Sequence, residues 1–177
     1  AEADPTFDIG GFDAAHKLAL LTSLSFGVQV DFESVHVEGI ESITLSDLKT
    51  ARDLGFSIKL LGVAKETDHG IEQRVHPTLV PFASPISGVS GVYNAVALEG
   101  DLLGELMLVG KGAGAGPTAS AVISDLVDIA RGTKLPSFGL RASQLEPQSG
   151  ARMREHEGSY YLALRAFDHP GAVAAIT

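Results

Sequence analysis

EADPTFDIGGFDAAHK, the sequence of residues 2–17, is the stretch of this chain that carries the most information about its fold. It contains four acidic residues, and three of them, Glu2, Asp8 and Asp13, are grouped here with the ammonium group of Lys17. Two adjacent glycines stand among these acids, at the start of an apolar helical pattern. Glycine destabilises a helix interior by about 1 kcal/mol, so the glycine pair indicates that another group approaches the backbone closely here.

An apolar helical repeat follows the two glycines. It predicts a helix over about residues 9–26, with Asp8 as its N-cap and Gly27 at its end. Asp13 and Lys17 are four positions apart on this helix, so both side chains project from one face. Taken alone, such a pair indicates a solvated salt bridge worth a few tenths of a kcal/mol.

Strands alternate with helices along the rest of the sequence, which predicts an α/β fold with a mixed, mainly antiparallel sheet. A capping box at Thr44 and Asp47 starts a short helix that Gly55 closes. Two hairpins follow, and Pro77 is expected to limit the pairing of one strand. The predicted strands are 34–38, 56–64, 71–80, 93–98 and 105–109, and the last complete predicted helix is 117–130.

The composition excludes several classes of function. The formal charge of −9 argues against nucleic-acid binding, because the neutralisation of phosphates requires clustered lysine and arginine. The absence of cysteine excludes disulfides and thiolate metal sites and fits a reducing cytoplasm. No apolar run reaches the roughly 18 residues of a membrane span, and the first residues lack a signal-peptide pattern. The six histidines show no metal-ligand spacing, so we predict no transition-metal site.

The composition changes beyond the last complete predicted helix. Residues 132–158 are rich in proline, serine, glutamine and glycine, with little apolar periodicity, which predicts a linker. A strand is expected from Tyr160 to Phe167, followed by a turn at 168–171 and the first turn of a helix. Such a unit cannot bury its apolar face alone, so we expect residues 159–177 to be the truncated start of a second domain.

The spacing E-x-D-P-x-x-D-x-x-G-x-D-x-x-x-K resembles the signature of homoserine dehydrogenases. Its positions are Glu2, Asp4, Pro5, Asp8, Gly11, Asp13 and Lys17. Further segments that resemble this family are 38–40, 43–44, 58–62, 74–77, 91–96, 112–114 and 117–122. The similarity identifies residues 1–131 as a catalytic, substrate-binding domain of this family, with 117–131 as the helix that returns toward a nucleotide-binding domain.

The resemblance implies an oxidoreductase that interconverts L-aspartate 4-semialdehyde and L-homoserine with NADP or NAD, in threonine, methionine and isoleucine biosynthesis. Lys17 matches the acid/base lysine of the family, and Asp13 favours its charged form, which suits a proton donor. Glu2 matches the ligand of the substrate amino group, and Asp8 and Asp13 shape the same pocket.

The sequence contains few signals for a cofactor-binding site. No strand–GxGxxG–helix unit precedes the motif, so we expect the main nucleotide-binding domain to be absent and the chain alone to be inactive. The resemblance implies cofactor contacts at Gly112 and Gly114. A hinge between domains is an equally good interpretation of this loop at 110–116.

The implied fold is that of the catalytic domain of the glyceraldehyde-3-phosphate dehydrogenase type, with helices on one face of a sheet of four or five strands. Leu60, Val63, Val75 and Leu79 are expected on the uncovered face, which would be an apolar patch too large to remain exposed. We therefore predict a homodimer formed through the sheet. The turn at 168–171 resembles the opening of an ACT regulatory domain, whose effector in the family is threonine.

Two other interpretations remain open. Another oxidoreductase of the semialdehyde group would use a nucleophilic cysteine, which this chain lacks. A non-catalytic dimerisation or amino-acid-binding fragment is the alternative from a different class. An NADPH-dependent assay with and without an upstream nucleotide-binding domain discriminates between them.

Overall fold

Helices and strands alternate along the chain in a mixed, mainly antiparallel α/β arrangement, which confirms the predicted fold class. The computed structural model describes residues 5–148 and 159–164. Its helices and strands are, in chain order, α1 (Thr6–Ile9), α2 (Phe12–Phe26), β1 (His36–Val37), α3 (Leu45–Asp53), β2 (Phe56–Thr67), β3 (Gly70–Pro81), β4 (Tyr93–Gly100), β5 (Gly104–Lys111) and α4 (Ala115–Ala130). Short 3-10 turns lie at Pro85–Gly88 and Ala142–Gln144.

The first predicted helix is divided into two by Gly11. This residue has φ +82°, a left-handed conformation that glycine adopts without strain. A Cβ atom at Gly11 would lie 3.2 Å from Val37 and 3.3 Å from Val75, so the sheet is the group that approaches the glycines closely. The prediction that Asp8 caps one continuous helix is wrong, because Asp8 lies inside α1 and the break follows it.

β3 is the central strand of a three-stranded sheet with the order β1-β3-β2. It pairs antiparallel with the whole of β2, so the expectation that Pro77 limits this pairing is wrong. The Val75 carbonyl accepts a hydrogen bond from the Glu38 N–H on the β1 side, and Pro77, two residues later, points its nitrogen to the same side. Because β1 ends at Val37, the N–H that proline lacks would meet no partner strand there.

The core lies between α2 and the three-stranded sheet. Its buried members are Ala15, Leu18, Ala19, Val35 and Val75, with partly buried side chains such as Leu60 and Ala64 packed against them. α2 is therefore fixed along one side, and the opposite side is left open. This packing determines which residues of the first motif can face a ligand.

The face of the sheet away from α2 carries fewer apolar residues than predicted. Leu60 and Val75 belong to the core, and Leu79 lies opposite Ile58, which shares a face with Leu60. Only Val63, of the four residues expected on the uncovered face, points away from α2. The register of β2 against β3 is the reason, because it places even-numbered residues of β2 beside odd-numbered residues of β3.

β4 and β5 form a separate antiparallel hairpin, paired from Tyr93 and Lys111 to Gly100 and Gly104. The five predicted strands are thus present, but the described residues arrange them in a three-stranded and a two-stranded sheet, where a single sheet was expected. α4 follows the hairpin after the short loop 112–114.

Part of the predicted linker packs against the end of α2. Glu146 forms an isolated parallel bridge with Val28, and Leu145 beside it is buried. Residues 159–164 are not in a strand, so the strand predicted from Tyr160 is not formed there, and the Tyr161 hydroxyl instead donates to Asp47 at 3.0 Å. The turn at 168–171, on which the ACT resemblance rests, lies outside the described residues. In the described part of the chain, the helices are too short or too polar to cross a membrane.

Candidate functional site

A cleft of about 390 Å³ opens between α2, β2 and β4. Its polar lining residues are Asp13, Lys17, Lys59, Tyr93 and Asn94, and the rest of its wall is Ala14, Leu18, Leu21, Leu60, Leu61, Gly62, Ile86, Val89, Ala95 and Val96. Four consecutive residues of β2 reach the cleft because β2 is at the edge of its sheet. The mixture of an apolar wall with a few convergent polar groups is typical of a small-molecule site.

Asp13 and Lys17 form an ion pair on the open side of α2. Lys17 Nζ donates to Asp13 Oδ2 at 2.5 Å, and the two side chains are 60% and 40% exposed. Such an exposed pair contributes little to stability. The pair matters for chemistry because the carboxylate positions the ammonium group at the wall of a cleft, where it can donate a proton.

The helix geometry explains why this pair faces the cleft. Ala15, Leu18 and Ala19 are buried against the sheet. Asp13 and Lys17 are one turn apart, just beside this buried stripe, so they reach the rim of the cleft without being desolvated. The prediction that both project from one face of the helix is confirmed.

Lys59 is a second lysine of the cleft, and the sequence analysis gave it no role. It is half-buried and donates a hydrogen bond to the Val89 carbonyl, which lies thirty residues further along the chain. Within residues 5–148 and 159–164, no carboxylate lies within ion-pair distance of Lys59, since the ion pairs there are Lys17–Asp13 and Arg74–Glu72. A lysine among the apolar residues of β2 was the signal in the sequence that could have drawn attention to it.

The acids of the first motif do not all reach the cleft. Asp8 is exposed on α1 and is not among the cleft residues. Glu2 lies outside the described residues. The structure therefore brings together Asp13 and Lys17, and leaves the predicted roles of the other two acids as predictions.

The two glycines predicted to touch a cofactor differ in their surroundings. Gly114 has φ +116° and is the N-cap of α4, and a Cβ atom there would meet only Pro117, at 3.6 Å. A nucleotide could therefore approach the Gly114 backbone, near the unpaired N–H groups of the first turn of α4. Gly112 is covered by the Asn94 side chain, which occupies the place of a Cβ atom. The backbone at Gly114 is thus open to a ligand, and the cofactor contacts expected at Gly112 and Gly114 stay predictions.

Two of the described histidines have structural surroundings. His16 stacks between Phe32, at a centroid distance of 3.9 Å, and Phe7, at 5.8 Å. His76 lies within hydrogen-bond distance of the Arg74 and Thr78 side chains. Across the described ranges, no group of three or more His, Asp or Glu residues is placed to hold a metal ion.

Comparison with known proteins gives a consistent result. The homoserine dehydrogenase family model matches residues 1–127. The chain is 45% identical over 182 residues to the homoserine dehydrogenase of Neisseria gonorrhoeae and 44% identical over 182 residues to that of Pseudomonas aeruginosa, with 99% of the chain and 42% of each relative covered. The chain thus spans less than half the length of these relatives.

Solved structures agree with the sequence relatives. The crystal structure of a homoserine dehydrogenase from Thiobacillus denitrificans matches with a TM-score of 0.88 and 46% identity, over 99% of this chain and 42% of that one. A hyperthermophilic archaeal homoserine dehydrogenase in complex with NADPH matches with a TM-score of 0.60 and 28% identity, over 75% of this chain and 37% of that one. The family model, the sequence relatives and the solved structures agree, and the chain belongs to the homoserine dehydrogenase family of oxidoreductases.

Proposed function

We propose that this chain supplies the substrate-binding and proton-transfer part of an enzyme that interconverts L-aspartate 4-semialdehyde and L-homoserine. The reaction uses NADPH or NADH, takes place in the cytoplasm and belongs to threonine, methionine and isoleucine biosynthesis. The single observation that carries the proposal is the Lys17–Asp13 pair at the wall of a cleft of about 390 Å³.

Lys17 is the proposed acid and base of this reaction. Bound NAD(P)H would supply the hydride for the aldehyde carbon, and the carbonyl oxygen would then need a proton. The Lys17 ammonium donates a proton to that oxygen, which completes the alcohol, and the reverse reaction returns the proton to Lys17. Asp13 holds the ammonium in place and stabilises its positive charge.

The amino group of the substrate is proposed to bind among the acids of the first motif. A primary ammonium needs carboxylates or other acceptors nearby once it leaves water. Glu2, Asp8 and Asp13 are the proposed acceptors, and Asp13 is the one that lines the cleft. α1, which carries Asp8, is held beside α2 by the stacked rings of Phe7 and Phe12, with centroids 6.3 Å apart.

The proposed role of Lys17 is tested by Lys17→Ala in the chain joined to an upstream nucleotide-binding domain, which we call the completed enzyme. Loss of general acid catalysis is expected to lower kcat by about 100-fold or more, while cofactor affinity, measured by fluorescence titration, is unchanged. Lys65→Ala is the control, because Lys65 is an exposed lysine of β2 outside the cleft. Near-normal turnover of the Lys17 variant would remove this residue from the mechanism.

Hydride transfer is proposed to require a nucleotide-binding domain in addition to these residues. Among the described residues, the loop at 110–116 has open backbone at Gly114, and no strand with an acidic ribose ligand follows this loop. The isolated chain is therefore expected to bind NADPH weakly or not at all. Calorimetry that finds micromolar binding to the isolated chain would contradict this.

The chain is also proposed to form a homodimer through its sheets. The support is the exposed apolar surface of the β4–β5 hairpin, where Leu106, Leu108 and Val109 are all exposed. Light scattering at tens of micromolar should give twice the monomer mass, and a monomer at that concentration would contradict the proposal. A dimer without NADPH-dependent turnover in the completed enzyme would favour the alternative, a non-catalytic dimerisation fragment.

A further inference from the structure

Asn94 occupies an unusual position between the cleft and the loop that leads to α4. It lies on β4 directly opposite Gly110, and Gly112 is the next residue on the same side of the neighbouring strand. A Cβ atom at Gly112 would overlap the amide nitrogen of Asn94 and lie 2.5 Å from its Cγ. A Cβ atom at Gly110 would meet nothing within 4 Å. The Asn94 side chain therefore leans over Gly112.

Backbone conformation does not explain why glycine is present at position 112. Neither Gly110 nor Gly112 has a positive φ, so alanine could adopt the backbone conformation of either residue. The two positions share a strand face and differ in the presence of the Asn94 amide. The Asn94 amide is therefore the group that a side chain at 112 would displace.

The Asn94 amide itself has no internal partner. It lines the same cleft as Asp13 and Lys17, and it makes no hydrogen bond within the described residues. A primary amide offers two N–H donors and a carbonyl acceptor, all of which are then available to a ligand. Its contact with Gly112 restricts where the amide can point.

We infer that Asn94 is a substrate-binding residue of the cleft, and that glycine at position 112 leaves room for the amide in this orientation. The amide hydrogen-bonds a polar group of a small amino-acid substrate whose reacting oxygen lies at Lys17. The identity of that substrate rests on the proposed function. This inference gives Gly112 a different role from the cofactor contact implied by the family resemblance.

Kinetics of single variants in the completed enzyme provide the first test. Asn94→Ala is expected to raise KM for L-homoserine about 5- to 10-fold, the effect of one lost hydrogen bond, with kcat and KM for the cofactor nearly unchanged. Gly112→Ala is expected to have the same effect, because it displaces the amide. Gly110→Ala is the matched control and should behave as the wild type.

The double variant Asn94→Ala/Gly112→Ala separates the two roles of Gly112. Once the amide is removed, alanine at 112 meets no obstacle, so the double variant should match Asn94→Ala. Additive losses, or a Gly112→Ala variant that changes KM for the cofactor alone, would overturn the inference. An Asn94→Ala variant with wild-type KM for homoserine would also overturn it.

Thermal unfolding of the chain gives a readout that does not depend on activity. Gly112→Ala should lower Tm relative to Gly110→Ala. This difference in Tm should disappear when both variants also carry Asn94→Ala. Equal Tm values for the two alanine variants would overturn the packing argument. If the wild-type completed enzyme does not turn over homoserine, the proposed function fails, whereas an active wild type with an indistinguishable Asn94→Ala variant sinks only this inference.

Discussion

The part of the chain before Pro85 and the part after it are packed in different ways. The first part contains α2 and the three-stranded sheet, and it supplies nearly all of the buried apolar side chains. In the second part, β4, β5 and α4 have no buried residue, and α4 exposes Val122, Ile123, Leu126 and Ile129. Apolar surface of this extent usually marks a contact with another surface.

The cleft lies where these two parts meet, and this determines how each wall is held. Lys17 and Asp13 stand on a helix whose other side is fixed in the core. Asn94 lies on a hairpin that has no fully buried residue. The hydrogen bond from Lys59 to the Val89 carbonyl is a direct link between the parts, since Val89 precedes β4. In the proposed mechanism, proton transfer therefore depends on the packed part, and substrate positioning depends on both parts.

The largest change in the free energy of unfolding is expected when matched valines in the two parts are compared. Val75 is wholly buried, so Val75→Ala should lower the free energy of unfolding by about 2 to 3 kcal/mol through lost contacts and a residual cavity. Val92 is 52% exposed just before β4, so Val92→Ala should change the free energy of unfolding by less than about 0.5 kcal/mol. Urea unfolding followed by circular dichroism measures both. Equal losses would mean that the two parts are packed alike.

A smaller effect is expected at the junction of α1 and α2. Gly11→Ala should cost about 2 kcal/mol, because alanine is strained at φ +82° and its Cβ would crowd Val37 and Val75. Gly104→Ala is the matched control, with φ +68° and open space around it, and should cost about 1 kcal/mol from strain alone. Thermal unfolding compares the two, and a control that costs as much as Gly11→Ala would show that crowding by the sheet is negligible.

Local patterns in the sequence predicted most elements of this fold. The capping box of Thr44 and Asp47 is present, with both of its reciprocal hydrogen bonds, and the hairpins form where alternating residues flank short turns. These features depend on residues close together in sequence. The break at Gly11 does not, because the side chains that leave no room for a Cβ atom there are those of Val37 and Val75, which are distant in the sequence.

The candidate site was predictable only in part for the same reason. The Asp13–Lys17 pair follows from helix spacing and was found. Lys59 and Asn94 join the site because β2 and β4 lie on opposite walls of one cleft, and no spacing rule relates these strands. The division of five strands into two sheets likewise depends on which edges pair, and the alternation of apolar residues does not encode that choice.

The smallest change in stability is expected at the N-terminus of α3, in the packed part of the chain, where a charged carboxylate takes part in the capping box. Hydrogen bonds from the Thr44 hydroxyl, at 2.6 Å, and the Thr44 N–H, at 2.8 Å, together with that from Tyr161, hold the pKa of Asp47 below its usual value. Because the pKa is lower in the folded state, this stabilisation is present above about pH 4 and is lost as the pH falls through the folded-state pKa.

The Asp47→Asn variant should therefore lose stability at neutral pH and approach the wild type as the pH is lowered toward 3. Tm measured between pH 3 and 7 gives the comparison. Asp53→Asn is the control, because the Asp53 side chain, on the same helix, makes no hydrogen bond within the described residues. A Tm difference between wild type and Asp47→Asn that does not change with pH would mean that the capping carboxylate acts through its shape and not through its charge.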